Sequence, residues 1–170
     1  MKTIRKKTDG STGYVVAGIL ALIWMCVIFA FSAQDKQESS VVSEGVSYEL
    51  VSSTGFFFHL HLDEEQIKEV ARVIESTVRK AAHMTEYAIL AVLLYLLLDG
   101  WQWKKWHRRA LAVGLAGLYA ASDEFHQLFV EGRAGSVRDV MIDTAGALIG
   151  VTAAVLCGAL YRRLKRKGER

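Results

Sequence analysis

The sequence predicts an all-α integral membrane protein with four transmembrane helices and an extracellular amphipathic helix preceding the second span. Three observations carry this. The 170-residue chain is 52% hydrophobic and contains no proline. Its apolar residues gather into runs at 14–31, 81–98, 110–130 and 140–161, of 18, 18, 21 and 22 residues, and about 20 helical residues cross the hydrocarbon of a bilayer. The lysines and arginines collect on alternate connections. A chain of this length is one domain's worth, so 1–170 reads as a single membrane domain.

The first run follows a basic start at Lys2, Arg5, Lys6 and Lys7. Its unbroken length and the lack of a small-x-small cleavage site predict an uncleaved anchor rather than a signal peptide. The outer segment, 32–80, opens on SAQDKQESS, read as a polar turn, and holds nine acids against five bases. FFFHLHL reads as an interfacial loop or short strand, with His59 and His61 structural. From Asp63, a good helix cap, Ile67, Val70, Ala71, Ile74 and Val78 recur at helical spacing. That helix should lie on the outer surface and join the second span, since neither proline nor glycine intervenes. Glycines 132 and 135 mark the turn between the third and fourth spans. Ser136 and Asp139 form an S-x-x-D capping pattern at the start of the fourth.

Of the 21 lysines and arginines, 14 fall in 1–13, 99–109 and 162–170. Positive-inside logic puts both termini and the 99–109 connection in the cytoplasm, with Trp101, Trp103 and Trp106 as an aromatic belt. The basic tail YRRLKRKGER then reads as an anchor on anionic lipid, not a nucleic-acid site. Cys26 and Cys157 lie far apart in apolar runs, without the spacing of a disulfide framework or a metal motif.

Three of the runs carry polar stripes. Arg79, His83 and Glu86 share a helical face with Tyr87 at its edge. Asp123, His126, Gln127 and Tyr119 share another, and Asp139 and Asp143 lie on a face with Gly146 and Gly150. Given the topology, all three stripes meet near the outer leaflet. A lone charge at mid-span costs roughly 2.5–3.5 kcal/mol, so Glu86, Asp123, Glu124 and Asp143 should face one another, nearby cations or water. Arg79, Lys80, His83, His126, Arg133 and Arg138 are the available partners. Asp139 is explained as a cap, whereas Asp143 is too deep to be one. Gly146-x-x-x-Gly150 reads as close helix packing, with homodimerisation as the lesser alternative.

FSAQ at 31–34, RKAAHMTEYAILA at 79–91 and SDEFHQLFVEGRAGSVRDVMIDTAGALIG at 122–150 strongly resemble the VanZ-like family. The resemblance implies a small multi-pass protein of the bacterial cell membrane. The family's founding member is associated with low-level resistance to the glycopeptide teicoplanin. Carried over by motif position are Ser32, Gln34, Lys80, His83, Glu86, Tyr87, Asp123, Glu124, His126, Gln127, Arg133, Asp139 and Asp143. The resemblance supplies no reaction.

Three functional classes stay open beside a purely structural or partner-binding role. The first is a pocket that binds or modifies a cell-envelope amphiphile, whether a cell-wall precursor, a phospholipid or a lipoglycopeptide. Arg79, Lys80 and Arg133 would meet its anionic group. The second is a divalent-metal-dependent hydrolase using His83, Glu86, Asp123, His126 and Asp143, with Glu124 as base. It lacks a compact zinc signature such as H-E-x-x-H. The third is an ion-coupled transporter, disfavoured by the small number of spans and the absence of a broken-helix pair.

Overall fold

The second apolar run does not begin a helix of its own. It is the second half of a 34-residue helix on which the other helices pack. The computed structural model describes residues 9–101 and 103–168, and the described chain is all-α, without strands. The basic start at Lys2, Arg5, Lys6 and Lys7 lies outside the described residues. In chain order the helices are α1 (Asp9–Ser32), α2 (Lys36–Phe57), α3 (Glu64–Leu97), α4 (Lys105–Gln127) and α5 (Val137–Gly168).

Asp63 starts α3 through a reciprocal cap. Its carboxylate accepts from Gln66 N at 2.8 Å, and Gln66 Oε1 accepts from Asp63 N at 3.0 Å. No residue after it breaks the helix, so the amphipathic stretch is not a separate surface element. Its 34 residues extend for about 51 Å, well beyond a hydrocarbon thickness of about 30 Å. The amphipathic stretch joins the second span as the sequence predicts, and does so without a break, as one continuous rod.

A correction concerns 32–58. The polar turn read at SAQDKQESS is confined to 33–35: Asp35 accepts from Glu38 N at 2.8 Å and launches α2. Helix α2 packs along α3 with Ser43, Ser47 and Val51 buried, while Val41, Val42, Val46 and Leu50 are exposed. Ser47 Oγ donates within the helix to Ser43 O at 2.7 Å, whereas Ser43 Oγ lies near Ser39 O at 2.9 Å but closer to Glu75 Oε1 of α3, at 2.5 Å. Small side chains at four-residue spacing let two helices approach closely. FFFHLHL forms no strand. Phe56 and Phe57 finish α2, His59 takes a left-handed φ of 53°, and Leu60 N donates to Gly55 O at 2.8 Å.

Among the described residues, three segments are long and apolar enough to cross a membrane: Thr12–Ser32, Glu64–Gly100 and Val137–Gly168. The remaining predicted span falls within α4. It is less apolar because its last two turns carry Asp123, Glu124, His126 and Gln127. Above them Ala112, Ala116 and Ala120 form a fully buried stripe, and the acids continue that same inward line.

Helix α3 touches all the others. Its seam with α5 is set by Gly146 and Gly150. A Cβ at those positions would lie 2.4 Å from Met84 O and 2.5 Å from Ala88 O, which is the close packing the G-x-x-x-G spacing predicts. Helix α1 is bound by side-chain hydrogen bonds, Trp24 Nε1 to Glu86 O at 2.9 Å and Tyr119 OH to Met25 O at 2.7 Å. At the opposite end from the acids, the Tyr14 ring lies against Gly100, so the start of α1 meets the end of α3. Arg108 is buried there, paired with Asp99 and over the Tyr95 ring. One of the four cations in the 99–109 connection is therefore turned inward.

Gly146→Ala should lower the unfolding midpoint in detergent by the equivalent of about 1–3 kcal/mol, the usual range for overpacking a close contact. Gly114 has open space around its Cβ position, so Gly114→Ala should leave the midpoint unchanged or slightly raised. Equal destabilisation of both in a thermal unfolding series would contradict the seam.

Candidate functional site

The polar stripes of three helices meet at one end of the bundle. Arg79, Lys80 and His83 come from α3, Glu124 and Gln127 from the last turn of α4, Arg133 from the following loop, and Asp139 and Asp143 from the first turns of α5. All eight line one cavity of about 250 Å³. Helical spacing brings them there: 79 and 83, 124 and 127, and 139 and 143 each lie about one turn apart.

The floor is a buried network. Asp123 is only 5% exposed and Asp143 only 4%. Gln127 Nε2 donates to Ser32 Oγ at 2.8 Å and to Asp123 Oδ2 at 3.3 Å, tying α4 to the end of α1. Ser32 and Tyr87 lie beside Asp123 as well, and His83 and Glu124 line the same cavity as Asp143. His83 Nδ1 is 3.2 Å from Glu86 Oε2. Tyr87 is fully buried beneath, its ring 6.3 Å from that of Tyr119.

The loop closing the cavity is shaped by two glycines and one acid. Gly132 adopts a left-handed φ of 71°. A Cβ on Gly135 would meet Glu124 O at 2.6 Å. Glu124 Oε2 then accepts from the Ser136 amide at 2.8 Å. Asp139 does not cap α5 as its spacing predicts. Its carboxylate reaches across to Lys80 Nζ at 3.2 Å, while Ser136 contributes its backbone N–H and carbonyl.

The cations differ in their commitments. Arg79 pairs with Glu75 at 3.3 Å and donates to Ser40 Oγ of α2, also at 3.3 Å. Lys80 pairs with Asp139. Arg133, half-buried, forms no ion pair among the described residues. Burial first, and the neighbouring Arg79 charge second, pull its guanidinium below the ordinary arginine value, which an added anion would relieve. Asp143 Oδ1 is buried without a hydrogen-bond donor among the described residues. The cavity thus offers an unpaired cation and an unsatisfied carboxylate, suited to a ligand carrying both an anionic group and a donor.

A second cavity, of about 230 Å³, adjoins this one and shares Arg79, His83 and Arg133 with it. Gln34 and Glu86 line this apolar groove. His126 lines neither cavity. Its ring lies 4.7 Å from Phe29 of α1, with Nδ1 buried and unbonded among the described residues. Among the described residues no three His, Cys, Asp or Glu side chains converge closely enough to hold a metal ion.

Sequence reasoning missed Glu75, Ser40 and Ser43, which hold Arg79 in place. Ser43 Oγ donates to Glu75 Oε1 at 2.5 Å, linking α2 to the same carboxylate that pairs with Arg79. The four-residue spacing of Glu75 and Arg79 was the available signal.

A family model described as VanZ/LLP1 matches residues 17–158. No curated protein and no solved structure matches the chain.

Glu124→Ala should release the 131–136 loop. Amide hydrogen exchange across Gly132–Val137 should rise roughly tenfold, in line with the loss of a charged hydrogen bond, while α3 exchange stays unchanged. Unaltered loop protection would show that Glu124 does not hold the loop.

Proposed function

The chain belongs to the VanZ/LLP1 family, and from that premise we propose that it is a four-span protein of the bacterial cell membrane. Its outward-facing cavity binds the anionic head of a cell-envelope amphiphile. Helix α4 supplies the fourth span. Its 23 residues extend for about 34 Å, it packs against both α3 and α5, and its polar turns face the cavity rather than lipid. The basic connections put both termini and the 99–109 loop inside, leaving the cavity near the outer leaflet. His83 stands about 21 Å along α3 from its inner end, within reach of the outer boundary of a hydrocarbon layer about 30 Å thick.

The observation that carries the reading is Arg133, a half-buried cation without an ion pair among the described residues, at the junction of a polar and an apolar cavity. In a low-dielectric surrounding such a group favours phosphate or carboxylate. Asp143 and Glu124 accept from hydroxyl or amino groups of the head, and Lys80 and Arg79 add positive field. Sequestering or presenting such an amphiphile alters the cell's response to lipoglycopeptides, which connects the cavity to teicoplanin susceptibility.

Expression of the wild-type chain in a teicoplanin-sensitive bacterium should raise the inhibitory concentration. Arg133→Gln and Asp143→Asn should each abolish that protection at equal membrane abundance. Loss of one charged hydrogen bond, about 1.5–3 kcal/mol, weakens head binding roughly tenfold or more. Protection undiminished by both substitutions would contradict the proposal.

A further inference from the structure

The apolar groove beside the polar cavity is lined by Phe31 at the end of α1, Val42 and Val46 on α2, and Val78 and Ala82 on α3. Ser43 Oγ reaches Glu75 of α3, and Val42 and Val46 form the apolar part of the α2 wall, with Ser39 and Ser43 at its edge. Helical backbone groups on these walls are bonded within their own helices. They offer nothing to an extended peptide, and hydrocarbon is the chemistry that matches them. At its inner mouth the groove meets Arg79, His83 and Arg133, the same side chains that border the polar cavity.

From this juxtaposition we infer that the ligand is a single-chain amphiphile bearing a phosphate-class head. The head rests on Arg133 in the polar cavity, and its one hydrocarbon chain lies between α1, α2 and α3. The inference rests on the proposed reading of the polar cavity as an anionic-head site and adds the class of ligand. Charge complementarity sets the direction, with the head toward Arg79 and Arg133 and the chain toward Val42 and Val46. Chain number follows from the walls. The other sides of the polar cavity carry Lys80, Glu124, Asp139 and Asp143, which would repel a second hydrocarbon chain. Polyprenyl phosphates and lysophospholipids share this chemistry.

Native mass spectrometry of the full chain in neutral detergent tests it, with hexadecyl phosphate and butyl phosphate as probes. Hexadecyl phosphate should be retained about tenfold better or more, as chain burial requires. Val46→Trp, and independently Ala82→Leu from the facing wall, should each cut that advantage at least about fivefold. No chain-length advantage in the wild type, or an advantage intact in both variants, would overturn the inference. So would a diacyl anionic lipid retained as well as a single-chain one. Arg133→Gln should weaken both phosphates; if it weakens neither, the head-site reading itself falls. A polyprenyl phosphate and a lysophosphatidylglycerol form the final arms, and preferential retention of either over the diacyl lipid supports the single chain and identifies its source.

Discussion

Carboxylates buried at one end of an apolar helix bundle govern this structure. Asp123, Glu124 and Asp143 are all withdrawn from solvent, and an isolated carboxylate in such surroundings is strongly disfavoured. Each therefore dictates what stands beside it. Asp123 requires Gln127 and, through it, Ser32 at the end of α1. Glu124 captures the amide of Ser136 and so fixes the loop that carries Arg133. Asp143 and Asp123 each keep an oxygen without a donor among the described residues, and of the two Asp143 is the one that lines the cavity.

This arrangement needs helices that approach closely enough for short side chains to meet. Helix α3 provides the axis, and small residues provide the proximity. Alanines 112, 116 and 120 line α4, and glycines 146 and 150 let α5 ride on the backbone of α3 at Met84 and Ala88. Those contacts sit within two turns of His83 and Asp143. The tightest packing in the bundle is thus what sets the depth and width of the polar cavity. Packing in a membrane gains little from hydrophobic association between helices, so close van der Waals fit and a few hydrogen bonds decide the geometry.

Much of this was legible in the residues. Helical spacing put Arg79 with His83 and Asp139 with Asp143, and the structure turns both pairs toward one cavity; of the face drawn through Tyr119, Asp123, His126 and Gln127, only Gln127 lines it, and Glu124 takes the place beside it. Asp63 caps α3 as expected, and Gln66 completes the cap reciprocally. Helix α2 was not legible, because its burial is inverted: serines face the neighbouring helix and valines face outward, so no apolar stripe marks the packed side. Asp139 was misread because a cap pattern names a local partner, whereas Lys80 competes from another helix with a full charge. His126 lies on the expected helix, yet Phe29 of α1 takes its ring. Contacts between distant segments leave no periodicity to read.

Lipid identification on purified protein tests the central claim most directly. Full-length wild type and Arg133→Gln would be extracted from their native membrane in a neutral detergent and their bound lipids weighed by mass spectrometry. The expected result is a phosphate-bearing lipid retained in near-stoichiometric amount by the wild type and lost from Arg133→Gln, with neutral lipid equal in both. Identical retention of the same anionic lipid by the two proteins would contradict a cavity built around that guanidinium.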